Sequence, residues 1–190
     1  MKKNISNGLV DIETIEKMRD SININNNTWV NLETTNCYAY ALNMDLSYKD
    51  LKPYEEFDVD IYNVGMISNL KTPKTKEELV NAFKSDMRIL KIEVTDVLFD
   101  EILEENEWKV ALYQTVKGID YIDNELDFHF VKEIENGKWS HKKGKTKKIS
   151  YLDDNDELIT EPSLAYFSLD EENGNSVKYN FIGCYKLKKK

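Results

Sequence analysis

Covalent attack on a carbonyl needs a nucleophile that can lose a proton and a base placed to take it. The sequence offers two cysteines, Cys37 and Cys184, and two histidines, His129 and His141. Cysteine reacts as its thiolate, and a helix N-terminus favours that anion through its unpaired amides and dipole. Cys37 stands in Asn36-Cys37-Tyr38-Ala39-Tyr40-Ala41-Leu42, with Thr34, Thr35 and Asn36 ahead of it as capping residues. The pattern predicts a helix that begins at or beside Cys37. Cys184, within Phe181-Ile182-Gly183-Cys184-Tyr185, falls inside a predicted strand and reads as core packing. Both histidines fall in one predicted hairpin, in Asp127-Phe128-His129-Phe130-Val131 and Trp139-Ser140-His141-Lys142. Strand alternation gives Phe128 and Phe130 one face and His129 the other. Structural roles stay open for all three: a small buried residue at 37, a hydrogen-bonded core imidazole at 129, a solvent-facing strand residue at 141.

The elements that must position these residues follow from periodicity. Ile12, Ile15 and Met18 recur at helical spacing, and a polar run from Asn23 to Asn27 ends that segment. Thr75-Lys76-Glu77-Glu78 has the form of a capping box, followed by Leu79, Val80, Phe83 and Met87 on one helical face. Between these, Phe57 to Ile67 reads as strand or extended loop, and further on Val97 to Glu105 reads as a short helix. Strands are predicted over Ile89 to Val94, Trp108 to Val116, Asp127 to Ile134, Trp139 to Lys143 and Tyr179 to Leu187. Helices first and strands later point to an α+β domain, with N-terminal helices packed on an antiparallel sheet. The acidic stretch Asp153 to Glu157 has Leu158 where a calcium loop needs glycine, so it reads as a turn.

Composition narrows the function classes. The 190 residues are 41% hydrophobic and 11% aromatic, enough for one packed domain without disulfide or metal. Lys and Arg number 26 against 35 Asp and Glu, and a net charge of −9 disfavours nucleic acid. The local exception, Lys142-Lys143-Gly144-Lys145-Thr146-Lys147-Lys148, reads as a solvated hairpin edge. The longest apolar run, Cys37 to Leu42, is far short of the roughly 20 residues that span a membrane, and Met1-Lys2-Lys3 leads into polar residues. The expectation is a cytoplasmic protein with reduced cysteines and no membrane partner. No recurring zinc spacing occurs, so neither metal nor organic cofactor is expected.

A helix-start cysteine followed by two histidines on consecutive later strands resembles the NlpC-type branch of the papain-like cysteine peptidases, over Trp29 to Gly144. The resemblance implies a papain-like core, with Cys37 as nucleophile, His129 as base and His141 as the group that holds the imidazole. It implies one domain over residues 1–190: a helical extension over 1–28, a catalytic core over 29–144, and C-terminal strands over 145–190. The backbone amide of Cys37 and the side chains of Asn31 or Asn36 are candidate oxyanion donors, although Asn is equally a turn and cap residue. Where wall-cutting members carry Asp-Cys-Ser-Gly, this chain has Asn36-Cys37-Tyr38-Ala39, which points away from cell wall and toward a soluble peptide, isopeptide or other amide. The alternative is a non-catalytic binding or inhibitor protein that keeps the fold without turnover.

The resemblance also requires a hairpin register. A regular two-residue Asn136-Gly137 turn pairs His141 with Lys132, away from the His129 face. A bulge or a loop of odd length pairs His141 with Val131 and brings it to that face. We expect the second register.

Overall fold

The computed structural model describes residues 10–23, 35–55, 60–118, 126–135, 137–144, 148–171 and 174–190. The described helices are α1 (Ile12–Ser21), α2 (Cys37–Ala41), α3 (Tyr48–Glu55) and α4 (Lys76–Ile89). The strands are β1 (Ile92–Val97), β2 (Glu107–Thr115), β3 (Phe128–Glu135), β4 (Lys138–Lys142), β5 (Ile149–Ser150), β6 (Ser168–Asp170) and β7 (Ser176–Lys189). They form a seven-stranded sheet in the order β1-β7-β2-β3-β4-β5, with β6 on β7, and the named pairs are antiparallel. The fold is therefore α+β, with the helices early in the chain and the sheet later.

Two cores divide at the sheet. Against one face pack α1 through α4, through Met18, Tyr38, Leu42, Tyr54, Phe83 and Met87 with Phe130 and Tyr185. The other face, carrying Tyr113, Val131 and Trp139, is closed by Ile159 and Phe167 from the irregular segment between β5 and β6. The helix α4 forms where its sequence prescribes: the Thr75 hydroxyl accepts from the Glu78 amide at 3.1 Å, and Leu79, Phe83 and Met87 are buried. The Glu78 carboxylate reaches back to the Lys74 amide at 2.7 Å, one residue beyond the usual box partner. The α1 helix buries Thr14 and Met18, while Ile12 is 75% exposed, so its apolar face is narrower than the spacing of isoleucines implies.

Several sequence expectations are corrected. No strand is found over 60–67, which is a chain of turns, and residues 56–59 lie outside the described residues. The element that does form ahead of this stretch is α3, which carries Pro53 inside it. The helix expected over Val97 to Glu105 does not form: Leu98 is 73% and Ile102 83% exposed, so it has no face to bury. The Phe99 and Glu101 carbonyls are instead taken by the Lys109 ammonium at 2.6 and 2.7 Å. The strand expected from Ile89 begins at Ile92, because α4 runs on to Ile89. The basic run is no solvated edge at its start, since Lys142 is fully buried; residues 145–147 lie outside the described residues. Asp153 to Glu157 is a turn, its Asp153 carboxylate accepting from the amides of Asn155, Glu157 and Tyr166.

Candidate functional site

The site grows from the first turn of α2. Asn36 caps the helix: its Oδ1 accepts from the Tyr38 and Ala39 amides, each at 3.0 Å, and its Nδ2 donates to the Tyr62 carbonyl at 3.0 Å. Both ends of this side chain are thus engaged in holding the helix start. Asn31, the other oxyanion candidate, lies outside the described residues. The small Ala39 and Ala41 are fully buried, and Tyr38 packs against Phe128 and Phe130 of β3 at centroid distances of 6.2 and 5.0 Å. This packing seats the start of α2 on the first residues of β3.

The β3–β4 pairing runs from Val131↔His141 toward the turn, so Phe128 to Phe130 present their β4-side edge beyond the end of that ladder. Cys37 occupies this edge. Its thiol lies 3.9 Å from the Phe128 carbonyl oxygen, and the amides of Phe130, Tyr38 and Cys37 favour the thiolate. Burial outweighs them and, with the charge of Asp127, pushes the thiol up to about 12. Cys184 is likewise buried, in the second core, and is pushed up to about 12 by that burial.

The histidines meet. Glu135↔Lys138 flank the turn as a two-residue hairpin requires, but the register then shifts between Glu133 and Glu135, so Ile134 is the extra residue of a bulge. His141 is thereby opposite Val131 rather than Lys132, in the register the resemblance requires. His129 Nε2 lies 2.8 Å from His141 Nδ1, and His141 Nε2 lies 2.9 Å from the Leu152 carbonyl oxygen. A carbonyl only accepts, so His141 carries its proton on Nε2 and presents a bare Nδ1. His129 must then donate from Nε2, which leaves its own Nδ1 as the free lone pair. Phe167 packs on both rings at 4.8 and 4.9 Å. Burial foremost, then the neighbouring His141 and Lys143, holds the His129 imidazolium well below the usual histidine range; burial also lowers His141.

The thiol of Cys37 sits with the helix-side core, while the His129 ring lies among Tyr113, Phe167 and Tyr179 on the other face. Both residues line one cavity of about 380 Å³ at the N-terminal end of β3. Its wall also includes Asp60, Asn63, Asp127, Lys143, Ser168 and Tyr179. Sequence reasoning assigns no role to Asp127 or to Tyr179, whose hydroxyl donates to the Asp127 carboxylate. Burial raises that carboxyl. Asp127 stands two residues before His129, a proximity visible in the sequence, whereas Tyr179 arrives from β7, fifty-two positions away. Lys142 reads as a surface residue in the sequence, yet its Nζ donates to the Thr35 and Gly144 carbonyls, both at 2.5 Å. It ties the residue after His141 to the segment just before Cys37.

Among the described residues no group of three or more His, Cys, Asp or Glu is arranged to hold a metal ion, and no helix is long and apolar enough to cross a membrane. No protein-family model matches the chain, and no curated protein or solved structure shows significant similarity to it.

Proposed function

We propose that this protein is a thiol-dependent hydrolase of a peptide, isopeptide or other amide bond, a divergent member of the NlpC-type papain-like group. The observation that carries the reading is the directed chain from Leu152 through His141 to His129, which leaves Nδ1 of His129 as an unprotonated nitrogen in a residue that lines the same cavity as Cys37. Cys37 attacks the carbonyl carbon and passes its proton to His129. His129 returns that proton to the leaving amine, and the thioester is then hydrolysed by a water that the same histidine deprotonates. His141 accepts from the imidazole and keeps it in the required tautomer. The backbone amide of Cys37 is the first oxyanion donor. A reducing compartment such as the cytoplasm suits a mechanism that needs a free thiol.

A second reading, a non-catalytic binding protein, is favoured by one observation: burial keeps both the thiol and the imidazole uncharged at neutral pH. Reaction with p-nitrophenyl acetate separates the two. The hydrolase gives nitrophenolate turnover with a thioester that peptide mapping locates at Cys37. Turnover is abolished in Cys37→Ala and falls by about 10²–10⁴ in His129→Ala. Turnover that survives in Cys37→Ala, or acetylation confined to other residues, overturns the hydrolase and leaves the binding protein.

A further inference from the structure

Among the described residues, the buried carboxylates are satisfied by several donors or by an ammonium, whereas Asp127, half-buried at the cavity, has two donors and no cation. Asp86 accepts from Tyr38 Oη at 3.0 Å, Gly65 N at 2.7 Å, Ser68 N at 2.8 Å and Ser68 Oγ at 2.6 Å. Glu133 pairs with Lys109 at 3.0 Å, and Glu171 with Lys117 at 3.1 Å. Asp153 takes three backbone amides. Asp127 has the Tyr179 hydroxyl and the Phe128 amide, and among the described residues no cation pairs with it. It is this carboxylate that faces the cavity holding Cys37 and His129.

Among the described residues, the other charges on that wall do not compensate it. Lys143 is held by Asp154 at 2.5 Å, so its charge is already balanced. Asp60 adds a second carboxylate, and Asn63 offers an amide of no net charge. A partly desolvated anion without a counter-charge is unfavourable, and a cation that enters the cavity relieves it.

We propose that the substrate carries an ammonium or guanidinium group close to the scissile amide, and that Asp127 receives this group. The proposal rests on the reading of Cys37 as nucleophile. It also couples binding to reactivity. The Asp127 charge opposes the thiolate in the empty site, and a cation seated on Asp127 offsets that opposition beside the attacking sulfur.

Methanethiosulfonates of opposite charge test this without knowledge of the natural substrate. Trimethylammonioethyl, sulfonatoethyl and neutral methyl reagents each transfer a thioalkyl group to the Cys37 sulfur and release a sulfinate. Rates at Cys37 are read by peptide mapping and normalised to those of a free thiol. The expected cation-to-anion ratio is about tenfold or more, the size of effect that one charge exerts close to a partly desolvated carboxylate. It persists at about 1 M salt, where screening acts over about 3 Å, and it falls toward unity in Asp127→Asn. A ratio that vanishes at high salt reports only the net negative surface and overturns the proposal, as does a ratio unchanged in Asp127→Asn. If that variant does not fold, the salt series on the native chain decides alone. Failure of the neutral reagent to modify Cys37 instead removes the nucleophile reading beneath it, and this proposal with it.

Discussion

At the scale of single residues, the two nitrogens of His141 divide the work of orientation: one donates to a fixed backbone carbonyl, so the other accepts from His129. Replacement by glutamine keeps a polar group but loses that forced polarity. His141→Gln is therefore expected to lower ester turnover by about tenfold or more, with thermal stability lowered far less than activity. The cysteines differ in what they face rather than in acidity or exposure, since both are buried and burial pushes both up to about 12. Cys37 lines a cavity, and Cys184 lies within the second core. Brief treatment with iodoacetamide should modify Cys37 first, at a rate that climbs with pH through about 9 without a plateau, as expected of a thiol protonated at rest. Faster labelling of Cys184, or a plateau near neutrality, would contradict this account. The helix start at Cys37 was legible because the capping residues precede it. The high thiol pKa was not, because burial is set by Phe128 and Phe130, nearly a hundred positions later.

At the scale of elements, the β3–β4 hairpin decides whether the two histidines can meet. The local turn favours the register that separates them, and the bulge at Ile134 reverses the outcome. Deletion of Ile134 removes the extra residue and leaves Glu133 opposite Trp139 and His141 opposite Val131, now in a regular ladder, so the His129–His141 hydrogen bond is expected to persist. The ring-nitrogen NMR shifts of the two histidines should then stay coupled and ester turnover should be retained; independent shifts with turnover lost would show that the pairing of Val131 with His141 is not what brings the rings together. Asp86 plays a different part. It joins α4 to α2 through Tyr38 and to the turn at Gly65 and Ser68. Asp86→Ala leaves several buried donors unpaired and is expected to cost about 3 kcal/mol or more in urea unfolding. Thr75→Ala, which removes a cap exposed to water, should cost about 1 kcal/mol. The cap at Thr75 was readable from four consecutive residues. The partners of Asp86 come from separate segments and leave no local pattern.

At the scale of the whole molecule, neutral imidazoles are buried between the sheet and the segment that carries Phe167. Their folded-state pKa values lie below the unfolded value, so the unfolded chain binds more protons as the pH falls through about 6.5. Stability is then fully present above that point and is lost on acidification, with a slope of up to about 1.4 kcal/mol per pH unit for each histidine until the folded protein also takes up the proton. Melting temperatures measured from about pH 8 to about pH 5 should decline below the unfolded histidine value, and the decline should weaken in His141→Gln. A flat profile in the native chain would mean that the histidines are not held neutral.

Short-range pattern in the sequence was enough for the α+β order of elements, the capped starts of α2 and α4, the alternation that puts His129 opposite in face to Phe128 and Phe130, and the packing role of Cys184. These depend on neighbours within a turn or a strand. The register that turns His141 toward His129 was expected from the family resemblance, against the preference of the local turn. Three features emerged only in the folded chain: the burial of Lys142, the loss of a helix over Val97 to Glu105, and an Asp127 carboxylate on the cavity wall with no cation paired to it among the described residues. Each of these is a balance of desolvation and hydrogen bonding between segments far apart in the chain. Local propensity carries no contribution from that balance, so it was settled only when the sheet brought its strands together.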